Sequence, residues 1–237
     1  MPTTGKIVLV AGGTGGLGRA VSLAFLEQGA TVAVTYQKQA EWEALQSAAG
    51  AKKSALEGYS VDVTNDEVVK TLVVRLVDKH VRIDALVNTV GGYAGGSKLW
   101  EMEPAVMEKM LALNLRTGFV LARAVVPVML KQKAGAIVNV AAKAALDHGA
   151  GASAYAASKA AALAMMDSLA ADLKGSGVRV NSILPSIIDT ETHRKAMPGS
   201  DFSKWPKPED IARVILFLCS NDAKVVHGAA VPVYGDQ

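Results

Sequence analysis

Short apolar runs alternate with longer amphipathic stretches along the whole chain. The short runs are rich in β-branched residues and nearly continuous, which is typical of strands buried on both faces of a parallel sheet. The longer stretches repeat apolar residues at helical spacing. The predicted strands span residues 6–11, 31–35, 56–61, 85–88, 136–140, 179–184 and 230–233. The predicted helices span residues 16–27, 39–49, 65–79, 104–131, 153–173 and 208–218.

This alternation predicts the fold class. Parallel strands joined by right-handed helical crossovers give an α/β fold with a single doubly wound, Rossmann-type sheet and helices on both faces. The 237 residues suit one domain, 1–237, since no repeat or low-complexity linker divides them. The polar segment 187–207 is too long for a plain connection, and we predict that it forms a lid over the active site.

Composition and charge exclude several classes of protein. No apolar run approaches the ~20 residues that span a bilayer, and the first strand begins too early to leave room for a signal peptide. The single cysteine, Cys219, rules out a disulfide framework and a multi-cysteine zinc site, so no metal is predicted. The net charge of +3 is mild, with no basic block, which argues against nucleic-acid binding. A cytoplasmic protein is expected.

A glycine-rich turn joins the first predicted strand to the first helix. Gly12, Gly16 and Gly18 follow the spacing Gly-x-x-x-Gly-x-Gly. Glycines let the backbone approach a pyrophosphate, and the helix N-terminus adds N–H groups and the positive end of its dipole. We therefore predict a dinucleotide site that also includes Thr14 and Leu17. No Walker lysine follows, which argues against a nucleoside triphosphatase.

The ends of the next strands carry the remaining cofactor predictions. An acid at the end of the second strand would bind the ribose 2′-hydroxyl, but Tyr36 stands there. Lys38 nearby could meet a 2′-phosphate, which favours NADPH over NADH, unless Lys38 is simply solvated. Asp62 and Val63 are placed to touch adenine, although Asp62 could instead begin a helix. Asn88 ends the fourth strand, where an amide can tie strands together.

Tyr155 and Lys159 lie four residues apart in a predicted helix, and so share one helical face. A tyrosine that titrates near ~10 is a poor acid or base at neutral pH. A cation about 4 Å away is worth roughly 4 kcal/mol at an effective dielectric of ~20, enough to shift a pKa by up to about 3 units. The pair is therefore a candidate proton-transfer device, although an ordinary surface pair has the same spacing.

Taken together, these motifs resemble the short-chain dehydrogenase/reductase family over essentially the whole chain. The matching positions are Gly12, Gly16, Gly18, Asp62, Val63, Asn88, Asn114, Asn139, Tyr155, Lys159, Asn181 and Pro185. The resemblance implies an NAD(P)-dependent oxidoreductase that is a homodimer or homotetramer and acts on a small molecule. It also implies that Pro185 contacts the cofactor.

The same resemblance implies the catalytic roles. Tyr155 is the general acid in reduction, Lys159 lowers its pKa and holds the nicotinamide ribose, and Asn114, in a helix kink, holds a water in the proton relay. The serine that the family normally carries thirteen residues before the tyrosine is Ala142 in this chain. Either catalysis has been lost, or Ser153 or Lys143 replaces that donor, or the substrate does not need it.

Several local segments resemble the dihydropteridine reductases of this family, in which an alanine also takes the serine's place. The resemblance covers residues 91–96, 142–147, 189–190, 194–198 and 201–205. It implies hydride addition to a quinonoid or similar conjugated ring, with Ala142 at the substrate and with Tyr93 against the flat ring unless it only packs the loop. His148 lies on the loop between the Ala142 strand and the Tyr155 helix, which borders the substrate in this fold, so it either contacts substrate or is a solvated loop histidine. The alternatives are a carbonyl or quinone reductase and a dinucleotide-binding protein without catalysis.

Overall fold

The computed structural model describes residues 3–236. Seven parallel strands form one sheet in the order β3-β2-β1-β4-β5-β6-β7. The strands are β1 (Ile7–Ala11), β2 (Thr31–Tyr36), β3 (Leu56–Ser60), β4 (Ala85–Asn88), β5 (Gly135–Val140), β6 (Val178–Pro185) and β7 (Ala230–Val233). The helices are α1 (Gly16–Glu27), α2 (Gln39–Ala49), α3 (Asp66–His80), α4 (Pro104–Leu111), α5 (Thr117–Gln132), α6 (Ser153–Asp172), α7 (Glu191–Ala196) and α8 (Pro208–Cys219). The predicted doubly wound α/β fold is confirmed.

Helices cover both faces of the sheet because successive residues of each strand point to opposite sides. On β1, Val8 and Val10 belong to the core beneath α1, α2 and α8. Leu9 and Ala11 belong to the core beneath α3, α5 and α6 on the other face. This two-sided burial explains why the strands read as continuous apolar runs rather than as alternating ones.

The chain reverses its direction of winding at β1. This strand pairs with β2 on one side and with β4 on the other, in parallel register on both. The loops that leave the carboxyl ends of β1 and β4 therefore diverge and open a crevice, which is where ligands bind in sheets of this kind. The glycine-rich turn and the segment that follows Asn88 form the two walls of that crevice.

One predicted helix differs from the structure. The predicted helix 104–131 is α4 and α5 joined by a π-helical turn, Ala112–Arg116, which contains Asn114. The predicted lid 187–207 contains α7 and a short turn, Phe202–Lys204, and buries Trp205. That the segment 187–207 acts as a lid stays a prediction, and so does the assignment of residues 1–237 to a single domain.

The continuous helix Pro104–Gln132 is long and apolar enough to cross a membrane by length and composition alone. Its sequence contains no uninterrupted apolar run of that length, but its mean hydropathy is high because only a few polar residues are interspersed. Within the most apolar window, 44 % is buried inside the fold. A core helix passes the same test, and α5 packs against α3, β4 and β5 as a core helix does.

The glycine-rich turn packs tightly against β2 at Gly13. A Cβ added at Gly13 would lie 2.5 Å from Val34 Cγ1, closer than real Cβ atoms approach a neighbour. We expect Gly13→Ala to lower the free energy of unfolding by about 1–3 kcal/mol, because the core must shift to admit the methyl group. Urea unfolding measures this change.

Gly199→Ala is the matched control, since nothing lies within 4 Å of a Cβ at that exposed position. We expect it to change stability by less than about 0.5 kcal/mol. Equal losses in the two variants would contradict the close packing described for Gly13.

Candidate active site

The glycine-rich turn forms a cradle at the start of α1. Gly12 has a φ of +73°, and a Cβ at Gly18 would lie 2.1 Å from the Gly12 carbonyl oxygen. Gly15 is the N-cap of α1, where no side chain caps the helix and no acid lies in its first turn. The free N–H groups and the positive end of the helix dipole therefore face a shape that suits a pyrophosphate. Leu17 is buried just behind the turn.

The start of the segment 187–207 reaches over this cradle. A Cβ at Gly16 would lie 2.8 Å from Thr190 Cγ2, so the Thr190 side chain covers the open side of the turn. The Thr190 hydroxyl also accepts a hydrogen bond from the His193 backbone N–H at 3.3 Å, which caps α7. Thr190 was not among the predicted site residues, since nothing in its local sequence marks a contact with a turn so distant in the chain.

The end of β2 carries an arrangement that the sequence analysis did not foresee. Tyr36 stacks on Trp42, with ring centroids 5.4 Å apart. Lys38 is exposed to solvent, and its Nζ lies 2.9 Å from Glu41 Oε1. The other oxygen of Glu41 accepts a hydrogen bond from Thr14 Oγ1 at 3.2 Å. An acid therefore does lie beside the predicted ribose site, on α2 rather than at the strand end.

Three further cofactor candidates have defined structural contacts. Asp62 Oδ1 accepts hydrogen bonds from the backbone N–H and the hydroxyl of Thr64, so it shapes the turn before α3. Val63 is buried in the core. Asn88 Nδ2 donates to Asn139 Oδ1 at 2.9 Å and ties β4 to β5, as predicted for such an amide. Contacts of Asp62 and Val63 with adenine stay predictions, as does the contact of Pro185, which ends β6, with the cofactor.

Asn114 joins three elements at the crevice. Its Oδ1 accepts from the Gly92 backbone N–H at 2.9 Å, and its Nδ2 donates to the Gly92 carbonyl at 3.0 Å and to Ser158 Oγ at 2.9 Å. The Ser158 hydroxyl in turn donates to the Tyr155 carbonyl at 2.8 Å. The helix kink expected at Asn114 is therefore a π-turn whose amide holds the loop after β4 against α6. Its water-holding role stays a prediction.

Lys159 is buried beside this amide, with 5 % of its surface exposed. Its Nζ donates to the Val140 carbonyl at 2.9 Å. A Cβ at Gly91 would lie 2.9 Å from Asn114 Oδ1 and 3.1 Å from Lys159 Nζ, so a glycine at this position leaves room for both groups. Burial lowers the pKa of Lys159 to about 8, because the charged ammonium loses its hydration.

Tyr155 has a pKa shifted in the direction opposite to the prediction. Burial, with a smaller contribution from the neighbouring Tyr93, raises the pKa of Tyr155 to about 12. The expected lowering by Lys159 is not observed, because desolvation of the phenolate dominates and the lysine ammonium is directed at the Val140 carbonyl. At neutral pH Tyr155 therefore keeps its proton and can act as a donor.

Tyr93 meets Tyr155 edge to face, with ring centroids 5.0 Å apart, and is 68 % exposed at the mouth of the crevice. A contact between its ring and substrate stays a prediction. His148 lies exposed on the loop between β5 and α6. That loop is joined to the loop after β4 by a hydrogen bond from the Gly96 N–H to the Gly151 carbonyl. A contact of His148 with substrate likewise stays a prediction.

Ser153 and Lys143 are the two candidates to replace the donor that is missing at Ala142, and both replacements stay predictions. The Ser153 hydroxyl is buried without a hydrogen-bond partner among the described residues. Lys143 Nζ lies 5.2 Å from the centre of the Tyr234 ring and 3.8 Å from Asp147 Oδ2. Ala142 itself is buried and presents only a methyl group.

Within residues 3–236, no group of three or more His, Cys, Asp or Glu side chains could hold a metal ion. Cys219 is buried in α8, and burial raises the pKa of its thiol to about 12. Sequence reasoning did not single out Glu41, Ser158 and Thr190, nor Thr35, whose hydroxyl accepts a hydrogen bond from the Gly12 N–H at 3.0 Å. Of these, Glu41 carried a usable signal, because it follows Lys38 by three residues at a predicted helix start.

The fold and site together define a dinucleotide-binding oxidoreductase of one doubly wound sheet. The sequence matches the model of the family described as short chain dehydrogenase over residues 6–200. The chain belongs to this family, whose members are NAD(P)-dependent oxidoreductases.

Several relatives and solved structures are similar to this chain over nearly its full length. A 3-oxoacyl-(acyl-carrier-protein) reductase FabG from Thermotoga maritima is 32% identical, over 99% of this chain and 98% of its own length. A D-threitol dehydrogenase from Mycolicibacterium smegmatis is 33% identical, over 98% and 92%. The solved structure of ElxO with NADP bound has a TM-score of 0.91 at 26% identity, covering 97% of both chains.

The buried Lys159 should make stability depend on pH. Below its folded pKa of about 8, Lys159 is protonated in both the folded and the unfolded protein, and burial of its charge destabilises the fold. As pH rises towards the ordinary value of 10.5, the unfolded chain holds more protons, so the free energy of unfolding rises. Relative to Lys159→Met, we expect the wild type to gain about 2–3 kcal/mol from about pH 7 to about pH 10.

Chemical unfolding across that pH range measures this gain. Lys174→Met is the control, since Lys174 is exposed and its removal should leave no such pH dependence. A constant difference between the wild type and Lys159→Met would mean that Lys159 is hydrated in solution.

Proposed function

We propose that the chain is an NAD(P)H-dependent reductase in which Tyr155 donates the proton. The observation that carries this proposal is the partly buried phenol of Tyr155, which lies edge to face with the exposed ring of Tyr93 and whose pKa of about 12 keeps it protonated. When bound, the nicotinamide cofactor supplies a hydride. A protonated phenol suits the reductive direction, in which the substrate must gain a proton as well.

The other residues hold the reactants in place. The turn at Gly12, Gly16 and Gly18 and the N-terminus of α1 bind the pyrophosphate. Lys159 binds the nicotinamide ribose. Asn114 supports proton delivery by holding the loop at Gly92 and the helix that carries Tyr155 in one arrangement.

For the substrate, we propose a quinonoid dihydropterin or a similar conjugated ring. Reduction of such a ring places the proton on a ring nitrogen, so less charge develops on a carbonyl oxygen and the donor missing at Ala142 is less needed. The exposed Tyr93 ring at the mouth offers a flat aromatic surface for the substrate. The local sequence resemblance to dihydropteridine reductases supports the same substrate class.

A carbonyl or quinone reductase is the second candidate. The names of the relatives favour it, since one is a 3-oxoacyl reductase and another a threitol dehydrogenase. A dinucleotide-binding protein without catalysis is a weaker third, because binding alone needs neither the protonated Tyr155 nor its network. We further propose a cytoplasmic homodimer or homotetramer.

Tyr155→Phe removes the proposed proton donor while keeping the ring. We expect reductase turnover to fall by at least about 10²-fold, in line with typical general-acid contributions. The measurement is NADH and NADPH oxidation with a quinonoid dihydropterin beside a panel of ketones and quinones. Tyr59→Phe is the control, because its hydroxyl bonds only Glu57 on the edge strand β3 and its loss should leave turnover intact. Unchanged turnover in Tyr155→Phe would refute catalysis by this tyrosine.

Ala142→Ser restores the hydroxyl that the family normally carries. We expect no gain on a quinonoid dihydropterin but a gain on simple ketones, whose carbonyl oxygen develops charge that the hydroxyl can stabilise. Steady-state kinetics on both substrate types measures this difference. Ala141→Ser is the control, since the Ala141 side chain packs in an apolar cluster with Leu163 and Leu184. A large increase in the turnover of Ala142→Ser on the quinonoid dihydropterin would contradict the proposed substrate class.

A further inference from the structure

Three side chains meet at the outer end of the glycine-rich turn: Thr14, Lys38 and Glu41, here called the adenosine-end cluster. Glu41 bridges the other two, with Oε1 2.9 Å from Lys38 Nζ and Oε2 3.2 Å from Thr14 Oγ1. The cluster therefore links the turn after β1 to the first turn of α2, across the ends of β1 and β2. This is where the adenosine ribose of a dinucleotide lies in a doubly wound sheet.

The first turn of α2 is held in place by packing. Trp42, the residue after Glu41, is buried and stacks on Tyr36 with an interplanar angle of 7°. It fills space over Gly58 on β3, where a Cβ would lie 2.6 Å from the indole ring. The Glu41 carboxylate is consequently carried on a rigid element, and the positive end of the α2 dipole favours its charge.

The charge balance of the cluster bears on which cofactor fits. Lys38 alone would attract a 2′-phosphate, which carries a charge of about −1.5 to −2 at neutral pH. Glu41 pairs with that cation and brings a carboxylate to the same place, so a 2′-phosphate would meet a like charge at short range. A ribose 2′-hydroxyl, by contrast, can donate a hydrogen bond to a carboxylate oxygen.

We propose that Glu41 determines cofactor choice and selects NADH: its carboxylate accepts the hydrogen bond of the ribose 2′-hydroxyl and repels a 2′-phosphate, while Lys38 serves as its counter-ion. This inference rests on the proposed function, since it requires that a nicotinamide dinucleotide binds at the turn. It reverses the preference for NADPH that Lys38 suggests in the sequence. The acid that the end of β2 lacks is supplied from α2, five residues beyond Tyr36.

Equilibrium binding of NADH and NADPH tests the proposal without turnover. Dissociation constants are measured by the change in nicotinamide fluorescence at fixed, low ionic strength, because salt screens exposed charges. The variants are Glu41→Gln, which removes the carboxylate charge at nearly constant shape, and Lys38→Met, which removes the counter-ion. Glu43→Gln is the matched control, since Glu43 lies two residues on in α2, is exposed, and accepts from Gln39 Nε2.

We expect the wild type to bind NADH at least about tenfold more tightly than NADPH, as a short-range like-charge contact implies. Glu41→Gln should lower the ratio of the NADPH to the NADH dissociation constant by about tenfold, chiefly because NADPH binds more tightly. Lys38→Met should raise this ratio, and Glu43→Gln should leave it unchanged.

A wild type that prefers NADPH would overturn the proposal, and so would a Glu41→Gln ratio no different from that of Glu43→Gln. In both cases the dinucleotide still binds, and the proposed reductase function stands. Failure of both dinucleotides to bind would overturn the proposed function and this inference together.

Discussion

Burial of both faces of a parallel sheet is the constraint on which the rest of this structure depends. The five inner strands hide side chains on both sides, so the connections return as helices on one face or the other. Reversal of the winding at β1 then leaves a crevice between the loops after β1 and β4. The glycine-rich turn and the segment around Gly91 and Gly92 face each other because of that topology, and every candidate site residue is placed relative to it.

Within the crevice, one buried amide holds the surrounding elements together. Asn114 uses both its oxygen and its nitrogen to hold the Gly92 backbone, and it also bonds Ser158 on α6. A buried amide left unpaired would cost about 1–3 kcal/mol, so these contacts fix the loop and the helix together. The π-turn at Ala112–Arg116 is the local distortion that accompanies this arrangement, in keeping with the frequent occurrence of such turns at functional sites.

Much of the fold was predictable from the sequence, because two-sided burial leaves a strong pattern. All seven strands and the long helices were predicted within about two residues, and the strand-to-helix position of the glycine turn indicated the cofactor site. The π-turn was not predictable, since its sequence reads as ordinary helix. Thr190 over Gly16 was equally hidden, because contacts between residues distant in the chain leave no local signal. The shift of the Tyr155 pKa was predicted with the wrong sign, because spacing reveals the lysine but not the burial.

Removal from water is the common cause of the pKa shifts at Tyr155 and Lys159. Desolvation moves the pKa of Tyr155 up and that of Lys159 down, and so favours the neutral form of both groups. A phenol of such high pKa gives up its proton readily only to a strongly basic acceptor. Since Ala142 offers no hydroxyl to stabilise a developing oxyanion, the acceptor must gain its basicity from the hydride addition itself. Hydride addition raises the basicity of a carbonyl oxygen and of a conjugated ring nitrogen alike, so a protonated phenol at this position suits the reduction of either kind of acceptor.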